Sequence, residues 1–99
     1  MILLTAREVA QATEGELFGL SSEQADSVEC TFATTDSREV NQNTLFLAKP
    51  GETTDGHLFV PAAFESGATL ALVERPISDA AGNLFAQVQV DDIVLAMGR

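Results

Sequence analysis

Two short stretches of the chain carry the polar side chains best suited to binding or catalysis. The first, residues 34–38 (Thr-Thr-Asp-Ser-Arg), places hydroxyls, a carboxylate and a guanidinium at the end of a predicted strand. The second, residues 51–57 (Gly-Glu-Thr-Thr-Asp-Gly-His), is a loop before a predicted helix, and its backbone N–H groups could face an anion. Ligands of open α/β sheets bind beyond strand ends, so both stretches are candidate sites. The alternative is two capped turns, in which Asp36 and Asp55 bond nearby backbone.

Familiar catalytic and metal-binding motifs are absent from the sequence. It contains no phosphate loop of the GxxxxGK[ST] type, no GxGxxG, no CxxC and no HExxH. A single histidine, His57, and a single cysteine, Cys30, leave no His/Cys metal cluster. Cys30 has no basic neighbour in its apolar strand, so burial is expected rather than a nucleophile–base pair with His57. Asp91 and Asp92 are expected to cap a helix rather than bind a metal.

Composition limits the classes of protein that fit. The 99 residues, 45% hydrophobic and 20% charged, suit one globular domain. Fifteen acidic and five basic residues give a net charge of −10, which argues against nucleic acid or anionic lipid as a partner. No apolar run approaches the roughly 18 residues of a membrane span, and the opening residues lack the features of a signal peptide. Together with the single cysteine, these features predict a cytoplasmic protein.

Start and stop signals predict three helices. In the first, Thr5 and Glu8 have the spacing of a capping box, and Gly15 can end the helix. Pro61 is tolerated in the first turn of the second helix, and Asp91 is the expected N-cap of the third. The predicted ranges are about 6–14, 58–66 and 93–97.

Apolar and β-branched runs predict five strands. The last alternates, with Gln87 and Gln89 on the face opposite its apolar residues. The polar segment 20–29 is interpreted as a surface loop. Strands joined by a helical crossover predict an α/β domain with a mixed, partly parallel sheet of four or five strands, flanked by helices. The predicted strands are 17–18, 30–35, 44–48, 69–74 and 84–90.

The combination of motifs resembles a known family. The residues that carry the resemblance are Asp36-Ser37-Arg38, Leu45-Phe46-Leu47-Ala48, Gly51, Asp55-Gly56-His57-x-Phe59, Ala62 or Ala63, and Gly67-Ala68. They are similar to the N-terminal domain of the Mur ligases, cytoplasmic ATP-dependent amide ligases that build the peptidoglycan stem peptide. The resemblance implies that residues 1–99 form the substrate-binding domain, and that the central ATPase and C-terminal domains lie outside this sequence.

Two branches of the family share this pattern. One adds the third residue of the stem peptide, and the other adds D-alanyl-D-alanine. The second branch is the more similar, on two segments of the sequence. They are Met1-Ile2-x-Leu4-Thr5-x-x-Glu8-Val9-Ala10 with Gly15, and Lys49-x-Gly51-Glu52-x-x-Asp55-Gly56-His57.

The resemblance also implies a ligand and the residues that bind it. The ligand is the uridine-diphosphate (UDP) end of UDP-MurNAc-peptide. Matching to the third-residue branch implies contacts from Thr35, Ser37, Glu52, Thr53 and Thr54, supported by Asp36, Arg38, Asp55, Gly56 and His57. Arg38 is expected to pair with Asp36 or Asp55. ATP and magnesium belong to the parent enzyme, so no catalytic residue, metal ligand or cofactor is expected in this chain.

Two other functions remain open on the sequence alone. One is a self-standing interaction module whose acidic surface meets a basic protein. The other is a small hydrolase that uses Asp36 and His57. The last predicted helix, residues 93–97, is apolar and stops abruptly, which favours a substrate-binding domain taken from a longer ligase. The expected protein partner is then the central domain of that ligase.

Overall fold

A five-stranded sheet forms the centre of the fold. In spatial order its strands are β2 (Glu16–Phe18), β7 (Gln87–Gln89), β6 (Ala68–Val73), β5 (Thr44–Leu47) and β4 (Phe32–Thr34). The computed structural model describes residues 3–50 and 55–97, with side chains up to Ala96. Strands β4 to β7 are parallel, whereas β2 pairs with β7 antiparallel. The predicted α/β fold with a mixed sheet is confirmed.

The remaining elements surround this sheet. A separate antiparallel pair joins β1 (Leu4–Thr5) to β3 (Glu29–Cys30). The helices are α1 (Ala6–Thr13), α2 (Ser22–Ser27), α3 (Val60–Glu65) and α4 (Ile93–Met97), and 3₁₀ turns cover Ser37–Glu39 and Gly56–Phe59. No helix in the described ranges is long and apolar enough to cross a membrane.

The predicted first helix is confirmed, including its capping box. The Glu8 N–H donates to Thr5 Oγ1 over 3.2 Å, and the Thr5 N–H donates to Glu8 Oε1 over 2.9 Å.

The prediction of a loop over residues 20–29 is wrong, because α2 lies there. A second capping box begins α2, in which Ser21 and Gln24 bond each other's backbone N–H. That Ser-x-x-Gln spacing is a helix signal within an otherwise polar segment.

Two predictions near the carboxyl end are also wrong in detail. The side chain that caps α4 is Asp92 rather than Asp91, since Asp92 Oδ1 accepts the Leu95 N–H at 3.1 Å. The last strand is shorter than predicted, and Gln87 is fully buried rather than on a polar face. Its side-chain amide pairs with both backbone groups of Ile77, which satisfies the buried polar atoms.

The hydrophobic core covers both faces of the central strands. Every residue of β5 is buried, as expected for a parallel strand in the middle of a sheet. The largest side chains that are fully buried are Phe46, Leu70, Leu72 and Ile93. Ile93 comes from α4, so this short helix is anchored in the same core. The core therefore fixes the strand ends from which the candidate loops leave.

Candidate functional site

The two predicted stretches leave the same edge of the sheet. Because β4 and β5 are adjacent and parallel, with Thr34 opposite Phe46, the residues that follow each strand emerge side by side. The stretch after β4 begins at Thr35, and the loop after β5 begins at Ala48. This is the carboxyl edge of the parallel strands, where open α/β sheets bind ligands. Of the predicted binding residues, Glu52, Thr53 and Thr54 lie outside the described residues, as does Gly51.

The stretch after β4 forms a turn held by its own side chains. Buried Thr34 accepts the Asp36 N–H at 3.0 Å and donates to Glu39 at 2.8 Å. Asp36 accepts the Arg38 N–H at 2.9 Å and pairs with the Arg38 guanidinium at 2.9 Å. Hydrogen bonds from the Arg38 side chain and backbone hold the pKa of Asp36 below its ordinary value. The capped-turn interpretation of Asp36 is therefore confirmed, and the partner of Arg38 is Asp36.

The two hydroxyls predicted to bind ligand stand apart from this network. Thr35 is exposed and Ser37 is half-buried. Neither side chain bonds another residue within the ranges 3–50 and 55–97. The turn thus presents both hydroxyls at the edge of the sheet, available to a ligand.

The loop after β5 is held by an ion-pair and hydrogen-bond network centred on Asp55. One carboxylate oxygen accepts from the His57 N–H at 3.0 Å and lies 2.6 Å from His57 Nδ1. The other accepts from the Arg75 guanidinium at 2.7 Å. The two His57 contacts, with the Arg75 contact after them, lower the pKa of Asp55 far below its usual range. Asp55 is therefore a fixed anion that positions its neighbours.

The imidazole of His57 is buried and engaged at both nitrogens. Its side chain has no exposed surface, and Nε2 accepts the Glu74 N–H at 2.8 Å. Because an amide N–H is always a donor, Nε2 carries no proton, and the ring proton sits on Nδ1 facing Asp55. A ring held in this way cannot act as a general base. The hydrolase alternative, which needs Asp36 beside His57, is not supported, since Asp36 pairs with Arg38 instead.

Gly56 lets the two ends of the loop touch. Its N–H donates to the Lys49 carbonyl at 3.0 Å, and Pro50 and Asp55 form an antiparallel bridge. A Cβ on Gly56 would lie 2.7 Å from the Lys49 carbonyl oxygen and 2.8 Å from the Lys49 nitrogen. The close backbone approach explains why this position has no side chain.

Sequence reasoning missed two residues of the site, Glu74 and Arg75. Both follow β6, which pairs with β5 in parallel, so they emerge at the same edge as the loop. Arg75 takes the pairing with Asp55 that was open to Arg38. The signal that could have found it is a cation placed immediately after a buried strand.

Other candidate chemistry is not supported by the structure. Cys30 is buried, as predicted, and burial raises the pKa of its thiol. In the part of the chain that the structure describes, no three His, Cys, Asp or Glu side chains gather where a metal could bind. A cleft of about 520 Å³ lies beside the end of β7, and another of about 590 Å³ lies between α3 and Phe85. Neither cleft is lined by a predicted site residue.

Asp55→Asn is expected to make the unfolding free energy less dependent on pH in acid. The pKa of Asp55 in the folded chain lies below its ordinary value of 3.8, so the ionised carboxylate stabilises the fold above that pH. This stabilisation is lost as the pH falls from about 4 towards the lower folded pKa. Urea unfolding at stepped pH should show a steeper loss of unfolding free energy below pH 4 in the wild type. Parallel profiles for the two proteins would contradict the assigned role.

Comparison with known proteins shows the family to which this chain is related. Residues 29–95 match the Mur ligase family, catalytic domain. The UDP-N-acetylmuramoyl-tripeptide–D-alanyl-D-alanine ligase of Bacillus subtilis is 33% identical over 97 residues, covering 98% of this chain and 20% of that relative. The UDP-N-acetylmuramoyl-L-alanyl-D-glutamate–2,6-diaminopimelate ligase of Bacteroides fragilis is 42% identical over 73 residues, covering 73% of this chain and 15% of that relative.

A solved structure gives the same result in three dimensions. A crystal structure of MurF from Acinetobacter baumannii superposes with a TM-score of 0.81 at 36% identity, covering 99% of this chain and 20% of that one. The chain thus spans about a fifth of the length of such relatives. The family match extends over more than half of the chain, and the relatives agree with it in sequence and in fold. The chain therefore belongs to the Mur ligase family.

Proposed function

We propose that this chain binds the UDP end of UDP-MurNAc-peptide, as the substrate-binding domain of a peptidoglycan ligase. The observation that carries the proposal is that the hydroxyls of Thr35 and Ser37 have no hydrogen-bond partner among the described residues, beside a loop stiffened by Asp55 and His57. Hydroxyls and loop amides suit the polar edges of uracil and the ribose. The family membership supplies the ligand class that fits this chemistry.

Each predicted residue has a distinct role in this proposal. Thr35 and Ser37 bond the nucleoside through their hydroxyls, and Thr53 and Thr54 add contacts from the loop. Glu52 contributes its backbone N–H, because its carboxylate would repel a diphosphate. The supporting residues hold both segments in place through the Asp36–Arg38 and Asp55–His57 pairs.

Catalysis is assigned to other parts of the ligase. Phosphoryl transfer requires a cradle of amides, a lysine on the phosphates and a magnesium site. The sequence has no phosphate loop, and the described residues gather no metal-binding cluster. We therefore propose that ATP and magnesium bind to a part of the ligase outside this chain. We propose that it binds substrate in the cytoplasm without catalysing a reaction, and that the central ligase domain is its protein partner.

The branch of the family is proposed from the extent of the alignment. The relative from Bacillus subtilis, named for D-alanyl-D-alanine, aligns over 98% of the chain, including the amino-terminal helix. The alternative is the branch that adds the third residue, favoured by the 42% identity of the shorter Bacteroides alignment. The full-length enzyme distinguishes them, because the first branch joins D-alanyl-D-alanine to the UDP-MurNAc-tripeptide and the second joins an amino acid to the dipeptide.

Ser37→Ala is expected to weaken UDP binding about two- to tenfold, the equivalent of about 0.5–1.5 kcal/mol for one hydrogen bond. Titrating UDP into labelled protein should shift amide resonances at residues 35–37 and 51–57, and the dissociation constant follows from the curve. Ser66→Ala is the matched control, since Ser66 precedes β6 at the opposite edge of the sheet. No shift at millimolar UDP, or shifts confined to residues 7–29, would overturn the proposed function.

A further inference from the structure

Glu74, the first residue after β6, bonds three segments of the chain at once. Its N–H donates to His57 Nε2 at 2.8 Å. Its carbonyl oxygen accepts from Gln89 Nε2 at 3.2 Å, and its carboxylate accepts the Ile93 N–H at 3.0 Å. One residue therefore connects the candidate binding loop, the end of β7 and the start of α4.

The connection on the loop side is rigid. The His57 ring is buried, with Nδ1 held 2.6 Å from Asp55 and Nε2 held by the Glu74 N–H. Turning this ring would leave buried polar atoms without partners, which is costly. A displacement of Asp55 and His57 is therefore passed to the backbone at Glu74.

The connection on the helix side is equally defined. The first N–H groups of a helix have no partner inside the helix, and the Glu74 carboxylate takes the first of these in α4. A helix of only five residues is not stable alone, so outside contacts set its position. Ile93 and Ala96 are buried against the core, whereas Val94 and Leu95 face outwards with 60% and 61% of their surface exposed.

We propose that the chain of contacts Asp55–His57–Glu74–Ile93 couples the nucleotide-binding loop to α4, with His57 and Glu74 as positioning residues. The part that concerns the nucleotide rests on the proposed function. Ligand that binds beside Asp55 and His57 then also protects the start of α4, and loosening of α4 weakens binding by the same factor, because coupling between two sites is reciprocal.

The first test needs no ligand and uses two substitutions of one residue. In His57→Gln the side-chain amide oxygen reaches the position of Nε2 and can accept the Glu74 N–H. In His57→Asn the shorter side chain keeps the contact with Asp55 and loses the one with Glu74. Hydrogen exchange of the Ile93 amide should be at least fivefold faster in H57N than in the wild type and near wild-type in H57Q. Leu70, fully buried in β6, reports global stability and should change less than twofold.

Glu74 provides an independent pair of variants if H57N does not fold. Glu74→Gln keeps an oxygen that can accept the Ile93 N–H, whereas Glu74→Ala removes it. Ile93 exchange should rise in E74A and stay near wild-type in E74Q. Nitrogen chemical shifts of the wild-type imidazole should show the Nδ1–H form. Unchanged Ile93 exchange in folded H57N, even with faster exchange in E74A, would overturn the coupling, as would unchanged exchange in E74A, whatever ligand the domain binds.

A UDP titration then separates the two proposals. Saturating UDP should slow Ile93 exchange at least threefold in the wild type and have no such effect in E74A. If UDP shifts residues 35–37 but leaves Ile93 exchange unchanged, the coupling is overturned and the proposed function stands. If UDP does not bind, the proposed function fails, and the ligand-free variants still decide whether His57 and Glu74 control α4.

Discussion

Gly56→Ala is expected to weaken UDP binding at least tenfold and to lower the unfolding free energy by about 1–3 kcal/mol, the usual cost of overpacking. The new methyl group would lie 2.7 and 2.8 Å from backbone atoms of Lys49 and 3.0 Å from the Ala48 carbonyl carbon. Backbone cannot move aside as a flexible side chain can, so the Gly56–Lys49 hydrogen bond must break. Separation of the loop ends would displace Asp55 and His57. Calorimetric titration with UDP and urea unfolding measure the two effects.

Gly82→Ala is the matched control for this prediction. Gly82 has a φ of +87°, and a methyl group added there would have no described atom within 4 Å, so the change strains the backbone without a clash. It should cost roughly 1 kcal/mol, typical of a left-handed residue that gains a Cβ, and leave UDP affinity unchanged. If G56A bound UDP as tightly as G82A, the close contact between the loop ends would not matter for binding.

The sequence predicts the fold best where local patterns and burial agree. Residues 45–47 and 70–73 are continuous apolar runs, the pattern of parallel strands covered on both faces, and they lie in β5 and β6. Gln87 was misplaced because its burial depends on backbone groups of Ile77, ten residues away, which no local pattern reveals.

Gly15 does follow the end of α1, but the left-handed residue there is Glu14, with a φ of 58°. Gly15 is required because a Cβ would meet Val88 at 2.4 Å.

The sequence predicts those parts of the candidate site that directly follow a recognisable strand. Thr35 and Ser37 follow one strand and Asp55 to His57 belong to the loop after the next, so one edge of the sheet was a sound expectation. The contributions of Glu74 and Arg75 depend on β6 lying next to β5, and sheet order is a property of the tertiary structure. The tautomer of His57 likewise follows only from the position of the Glu74 amide.

Phe46→Ala is expected to cost about 3–5 kcal/mol of unfolding free energy, the range for removing a buried aromatic side chain. Phe46 has no exposed surface and lies in β5, between Thr34 of β4 and Ala71 of β6. Domains of this size have only about 5–15 kcal/mol of stability in total, so the variant should be partly unfolded at moderate temperature. Urea unfolding followed by circular dichroism measures the loss.

Phe32→Ala tests whether position in the sheet, rather than residue type, causes this loss. Phe32 lies on β4 at the edge of the sheet and is 42% exposed. Because about half of its surface is already in water, its removal should cost no more than about 1.5 kcal/mol. β5 also leads directly into the loop that holds Asp55 and His57, so F46A should lose UDP binding as it unfolds, whereas F32A should keep it. Equal losses of stability in the two variants would mean that β5 is not a buried interior strand of the sheet.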